Sequence, residues 1–133
     1  MRSDARTLVP GEASADAVVL DEPLSFWGGL DPETGRVIDV HHPQQSADVT
    51  GRILVMPSGR GSSSSSSVLA EAIRAGTAPA GIVLREPDPI VALGAIVARE
   101  LYGLAIPVVV SDVEIRTGDH IEILATTKEV RVR

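Results

Sequence analysis

From Gly51 onwards the apolar positions fall into blocks of two kinds. Ile53-Leu54-Val55-Met56, Gly81-Ile82-Val83-Leu84 and Val108-Val109-Val110 are short continuous apolar runs. Each predicts a strand buried on both faces, as in a parallel sheet covered on both sides. Between them the pattern changes to helical spacing. Val68-Leu69-Ala70-Glu71-Ala72-Ile73-Arg74 predicts an amphipathic helix over about residues 65–75, and Ile90, Gly94, Val97 and Leu101 place one face of a second helix over 90–102. Asp88-Pro89 supplies the start of that helix, Asp as N-cap and Pro in the first turn. The order is βαβαβ.

The flanks have β character. Thr7-Leu8-Val9 and Ala17-Val18-Val19-Leu20 are short strand candidates, separated by a polar segment containing Gly11. Val37-Ile38-Asp39-Val40 predicts a further strand ending at His41-His42-Pro43. His120-Ile121-Glu122-Ile123 and Glu129-Val130-Arg131-Val132 alternate polar and apolar residues, as half-exposed strands of a C-terminal hairpin do. Asp31-Pro32-Glu33-Thr34-Gly35 is a turn, with Pro presetting φ and Gly accepting a positive φ. Ser25-Phe26-Trp27-Gly28-Gly29 predicts a tight bend, Phe26-Trp27 being a core or interface anchor. The expected fold is α/β, a β/β/α sandwich with β-rich flanks around the βαβαβ unit. Residues 1–4 form an N-terminal tail and 5–133 one domain.

Composition narrows the function classes. A chain of 133 residues is long enough to bury a core, and with aromatics at 2% that core is aliphatic. The net charge of -6 offers no basic stripe for phosphates, which argues against nucleic acid as a partner. With no cysteine the chain has no disulfide, no thiolate metal site and no iron–sulfur ligand of the usual kind. Met1-Arg2-Ser3-Asp4 is not followed by an apolar h-region, and no apolar run approaches the roughly 20 residues of a membrane span. A soluble cytoplasmic protein is the expectation.

Candidate chemistry concentrates at Gly59-Arg60-Gly61 and the six serines 62–67. By composition the run resembles a flexible linker, but a strand precedes it and a helix follows. A strand, a Gly-x-Gly turn and a Ser-rich helix start gather N–H groups and hydroxyls at one point, as anion-binding or catalytic corners do. Capping accounts for one or two serines but not six, since Ser is a mediocre interior helix former. The pattern is not a phosphate-binding P-loop, which requires Lys before its Ser or Thr. Arg60, between two glycines, is either a clamp for a carboxylate or phosphate or a solvated loop residue. Asp39, His41 and His42 form a loose cluster, with Asp39 and His41 on one strand face and no third metal ligand evident. Asp88, with Glu86, lies where open α/β sheets bind ligands, yet its capping role suffices to explain it.

Three segments carry a resemblance to a known family. Leu24-Ser25-Phe26-Trp27-Gly28-Gly29-Leu30-Asp31-Pro32-Glu33-Thr34-Gly35, then Pro57-Ser58-Gly59-Arg60-Gly61-Ser62, then Pro89-Ile90-Val91-Ala92-Leu93-Gly94-Ala95 resemble the swivel-domain small subunit of the aconitase X family. The likeness runs in order from about Ala5 to the C-terminus. It implies a swivelling β/β/α domain like the mobile domain of aconitases. It also implies a hydro-lyase acting on a hydroxyproline-like or phosphomevalonate-like acid. The family's proton-abstracting serine, directly after Gly-[Arg/Lys]-Gly, falls on Ser62, and a second serine four positions later falls on Ser66. Arg60, Gly61, Ser63 and Ser66 are the implied substrate-binding residues. No metal ligand falls on this chain, and the implied iron or iron–sulfur centre lies in a large subunit, without which the chain is inactive.

Dehydration needs a base for the C–H proton and a Lewis acid for the departing hydroxyl. Two other readings stay open beside this one. One is a non-catalytic module that binds small anions at residues 59–62, and the other is a mobile carrier domain, which requires a nucleophilic His in the mobile loop.

Overall fold

The computed structural model describes residues 2–124 and 127–133. The chain runs β1 (Arg2–Asp4), β2 (Arg6–Val9), β3 (Glu12–Val19), α1 (Phe26–Gly29), β4 (Leu30–Asp31), β5 (Arg36–Val37), β6 (Ile53–Met56), α2 (Ser64–Ala75), β7 (Gly81–Leu84), α3 (Pro89–Tyr102), β8 (Val108–Val110), β9 (His120–Leu124) and β10 (Glu129–Val132). Eight strands form one sheet in the order β1-β10-β9-β3-β6-β7-β8-β2. The three segments β6, β7 and β8 pair in parallel, and β3 joins them in parallel through Ala17, Val18 and Val19. The earlier half of β3 pairs antiparallel with β9. Strands β1 and β2 are separated by Ala5 alone yet sit at opposite ends of the sheet. The sheet therefore curls nearly into a barrel.

Strand periodicity splits the core in two. Leu54, Met56, Ile82, Leu84 and Val108 face α2 and α3, where Leu69, Ile73, Val91, Ala95 and Ala98 meet them. Ile53, Val55, Val83 and Val109 face inward, against Ile121, Ile123 and Val130 of the curled antiparallel strands. Burying a side chain such as Leu54 or Ile123 contributes about 1.5–3 kcal/mol. The continuous apolar runs are explained, but helices cover only one of the two faces. The sheet's own far side covers the other.

The α/β architecture with β-rich flanks is as expected, and several local expectations need correction. The second strand begins at Glu12, not Ala17, because residues 12–16 ladder against β9 with one face left to solvent. The strand expected over 37–40 stops at Val37. Beyond it Asp39 Oδ1 accepts from the His41 N–H at 2.9 Å, and this local turn ends the extended backbone. The buried stripe of α3 is Val91, Gly94, Ala95 and Ala98, while Leu101 is exposed. That helix is apolar nearly all round, so spacing alone does not select the face; the smallest residues do, because they admit α2. Residues Arg2–Asp4 of the expected tail form β1 and pair with β10.

Candidate active site

The carboxyl ends of β3, β6 and β7 each release a loop towards one edge of the sheet, where open α/β sheets place ligands. Main-chain bonds join these loops. Gly59 forms a parallel bridge with Leu24, and the Arg60 N–H donates to the Leu24 carbonyl at 3.1 Å. On the other side the Gly59 N–H donates to Asp88 Oδ2 at 2.9 Å. Asp88 Oδ1 accepts from the N–H groups of Ile90 and Val91 at 2.9 and 3.2 Å. One carboxylate thus caps α3 and anchors the 57–63 turn.

Both glycines of the turn are required, for different reasons. A Cβ on Gly59 would lie 2.8 Å from Asp88 Oδ2 and from Val91 Cγ2. Gly61 has φ +98°, and a Cβ there would meet Ser25 Oγ at 2.7 Å. Only Gly61 uses a positive φ; Gly59 is needed for space. Between them Arg60 points outward, its side chain 56% exposed and 3.9 Å from Glu22. An ion pair so long and so exposed holds the guanidinium weakly, leaving it available to an incoming anion.

The six serines separate into two sets. Ser62, Ser63, Ser64 and Ser67 are exposed, whereas Ser65 and Ser66 are buried. Ser65 Oγ lies 3.2 Å from Ser25 Oγ and accepts from the Trp27 N–H at 3.3 Å. Ser66 Oγ donates to the Ile90 carbonyl at 2.7 Å, tying α2 to α3. Next to it a Cβ on Gly94 would come within 2.9 Å of the Ser66 carbonyl oxygen, so the helices cross where only small residues fit. Ser63 is the N-cap residue of α2 but makes no side-chain capping bond. Ser62 Oγ receives only a long 3.4 Å contact from the Ser64 N–H. Its hydroxyl therefore stands in solvent at the N-terminus of α2, adjacent to Gly61.

Ser66→Ala removes one buried hydrogen bond and is expected to lower stability by about 1 kcal/mol. A shift of the urea midpoint without a change in slope measures this.

Phe26, Gly59, Gly61, Ser65, Asp88 and Val91 are among the residues lining a recess of about 110 Å³ beside Arg60. That is below the ~300–1,000 Å³ of pockets that bury whole small molecules. This corner alone encloses no more than one end of a ligand.

The histidine cluster is built differently from the expectation. Asp39 and His41 share a turn, not a strand face. His42 is buried, its Nδ1 accepting from the Gln44 N–H at 3.0 Å and its Nε2 lying 3.1 Å from the Glu22 carbonyl. Both ring nitrogens are thereby committed to holding the 20–44 loops together. Among the described residues no three His, Cys, Asp or Glu side chains gather as a metal site. A Ser–His–Asp ladder not foreseen from the sequence lies on the β3–β9 surface. Ser14 Oγ is 2.8 Å from His120 Nε2, and His120 Nδ1 is 3.1 Å from Asp16 Oδ1. The i, i+2 spacing of Ser14 and Asp16 places them on one face, but only the cross-strand register, Asp16 opposite His120, brings the ring between them.

Comparison with known proteins bears on the family and the fold. The family model described as the aconitase X swivel domain matches residues 2–132. A cis-3-hydroxy-L-proline dehydratase of Pseudomonas aeruginosa is 55% identical over 103 residues, which are 77% of this chain and 18% of that protein. The chain therefore spans less than a fifth of that relative's length. The phosphomevalonate dehydratase small subunit of Thermococcus sibiricus is 40% identical over 134 residues, covering 99% of this chain and 98% of that one. The crystal structure of Thermococcus kodakaraensis aconitase X in its holo-form superposes with a TM-score of 0.91 at 36% identity, covering 100% of this chain and 98% of that one.

Proposed function

The chain belongs to the aconitase X swivel-domain family, and from that premise we propose that it is the small subunit of an aconitase X-type dehydratase whose Ser62 takes the proton during elimination of water from a small hydroxy acid. The observation that carries this reading is the placement of Ser62. It is an exposed serine at a helix N-terminus, directly after a Gly-Arg-Gly turn pinned from both sides by Leu24 and Asp88.

In the reaction the substrate C–H bond next to the acidifying group breaks and its proton passes to Ser62 Oγ. The electron pair left behind forms the C=C bond as the C–O bond breaks, and the departing hydroxide takes back the proton held by Ser62, which releases water and restores the alkoxide. To act as base, Ser62 must hold alkoxide character. The N–H groups at the start of α2 and the Arg60 guanidinium favour it, but a helix terminus contributes only about 0.3–1 kcal/mol at an exposed site. The rest comes from excluding water, which requires a second chain over this corner. Arg60 clamps the substrate's carboxylate or phosphate. Gly61 and Ser63 line the same rim, and Ser66 acts from beneath by fixing α2 against α3.

Among the described residues no side chains gather as ligands of an iron or iron–sulfur centre. The chain has no cysteine, and its described acidic and histidine side chains do not converge. Under this proposal any such centre is held by the large subunit. Relatives are named for two substrates, hydroxyproline and phosphomevalonate, and both fit an anion-clamping arginine.

Reconstitution tests the reading. The chain alone and the large subunit alone are expected to show no elimination of water from cis-3-hydroxy-L-proline or (R)-5-phosphomevalonate. The mixture is expected to turn over one of them. A stable complex inactive on both acids would remove the dehydratase assignment.

A further inference from the structure

The 57–63 corner continues into an apolar surface. Trp27, the single tryptophan of the chain, is 63% exposed although its neighbour Phe26 is buried. Its backbone is held firmly. The Trp27 N–H donates to the buried Ser65 Oγ, and Ser25 Oγ donates to the Trp27 carbonyl at 2.9 Å. Ile38 and Val40, 48% and 68% exposed, lie on the adjoining segment. That segment is joined to α1 by the Ile38 N–H bond to the Gly29 carbonyl at 2.8 Å. A rigid backbone presenting large apolar side chains to water, next to the serine at α2, is the signature of a docking surface.

Resting on the small-subunit reading above, we infer that the Trp27–Ile38–Val40 surface is the seat of the large subunit, with Trp27 inserted into an apolar socket of that chain. Three observations select this occupant. First, four-fifths of the Pseudomonas aeruginosa relative lies outside the part this chain matches, while the Thermococcus sibiricus small subunit is matched over 98% of its length. In that relative a large further part accompanies this domain, and a small subunit lacking it takes it from a separate chain. Second, the Trp27 N–H is bonded to Ser65, three residues from Ser62, so the backbone that carries Trp27 is fixed to the first turn of α2, beside the corner a partner has to cover. Third, the chain carries a net charge of -6, and Glu22, Glu33 and Asp39 stand in the segments around the patch. A partner with an apolar socket rimmed by cations complements both features. The other exposed apolar cluster, Leu101, Tyr102 and Leu104, lies where α3 ends, at the opposite edge of the sheet.

The test uses the full chain labelled with fluorotryptophan, whose single fluorine resonance comes from Trp27. Adding unlabelled large subunit is expected to move that resonance and abolish its solvent-isotope shift. Trp27→Ala is expected to weaken association by about thirtyfold or more, as a central interface tryptophan does. Turnover should recover as the large subunit is raised to saturation. Val40→Asp, an independent surface change, is expected to weaken association about tenfold, and Leu101→Glu to leave it unchanged. A complex that forms and turns over, yet is indifferent to both Trp27→Ala and Val40→Asp, overturns the surface assignment alone. No complex with the wild-type chain overturns the small-subunit reading, and this inference with it.

Discussion

Ser62→Ala is expected to lower turnover of the reconstituted dehydratase by about a hundred- to ten-thousand-fold, the usual contribution of a positioned base. Association with the large subunit and thermal stability should not change. Nothing in the fold depends on the Ser62 hydroxyl: its internal contact is one long 3.4 Å approach from the Ser64 N–H. Its neighbours cannot stand in for it. Ser65 and Ser66 are buried and committed to Trp27 and Ile90. Ser63 is exposed but one position into the helix start, outside the left-handed turn that Gly61 imposes. Ser67→Ala should therefore retain most activity, and Ser63→Ala, at the substrate rim, should raise KM with little change in kcat. A second readout separates a lost base from a displaced substrate. In deuterated water the wild-type complex should exchange the substrate's abstracted hydrogen with solvent, and Ser62→Ala should not. Near-wild-type turnover by Ser62→Ala in a well-formed complex would remove this serine from the chemistry.

What the sequence disclosed follows from where burial is complete. Strands β6, β7 and β8 are apolar at every or nearly every position, so their limits are legible from composition alone. The α3 start is equally legible, because Asp88-Pro89 carries its own local mechanism. Features decided by tertiary contact were not legible. The first half of β3 has weak alternation, and its strand character comes from β9, over 100 residues away in sequence. The exposed faces of Trp27, Ile38 and Val40 cannot be told from core by residue type, since the pattern Val37-Ile38-Asp39-Val40 suits a strand equally well. The serine run is the sharpest case. Six identical residues carry no internal signal, yet contact with Ser25 and Trp27 buries Ser65, the helix crossing at Gly94 buries Ser66, and the other four stay in solvent. Motif position singles out Ser62; only packing reveals that Ser66 is a strut between helices.

Asp88 separates helix stability from site geometry, because its two oxygens serve different elements. Asp88→Ala removes the cap, about 0.5–2 kcal/mol. It also leaves the Gly59 N–H without its acceptor, a further ~1–3 kcal/mol if water does not reach it. Since Gly59 is only half-buried, the lower part of that range applies, and the total loss is roughly 2–3 kcal/mol. Asp88→Asn divides the two roles. Its carbonyl oxygen can still cap Ile90 and Val91, which turns the amide NH2 towards the Gly59 N–H, donor against donor. Most of the helix stability should survive, with a loss near 1 kcal/mol, while the 57–63 turn is released on one side. Turnover is then expected to fall by up to about a hundredfold, since a displacement of the order of 1 Å at a catalytic group costs that much. The loss should appear in kcat, because Arg60 stays bonded through its N–H to Leu24 and continues to bind the anion. Chemical denaturation and steady-state kinetics on the same two variants check both halves. If Asn and Ala lose turnover only in proportion to their loss of stability, the carboxylate is a helix cap and nothing more. If Asn is nearly as stable as wild type but nearly as slow as Ala, the bond from Asp88 to Gly59 is what holds Ser62 in place.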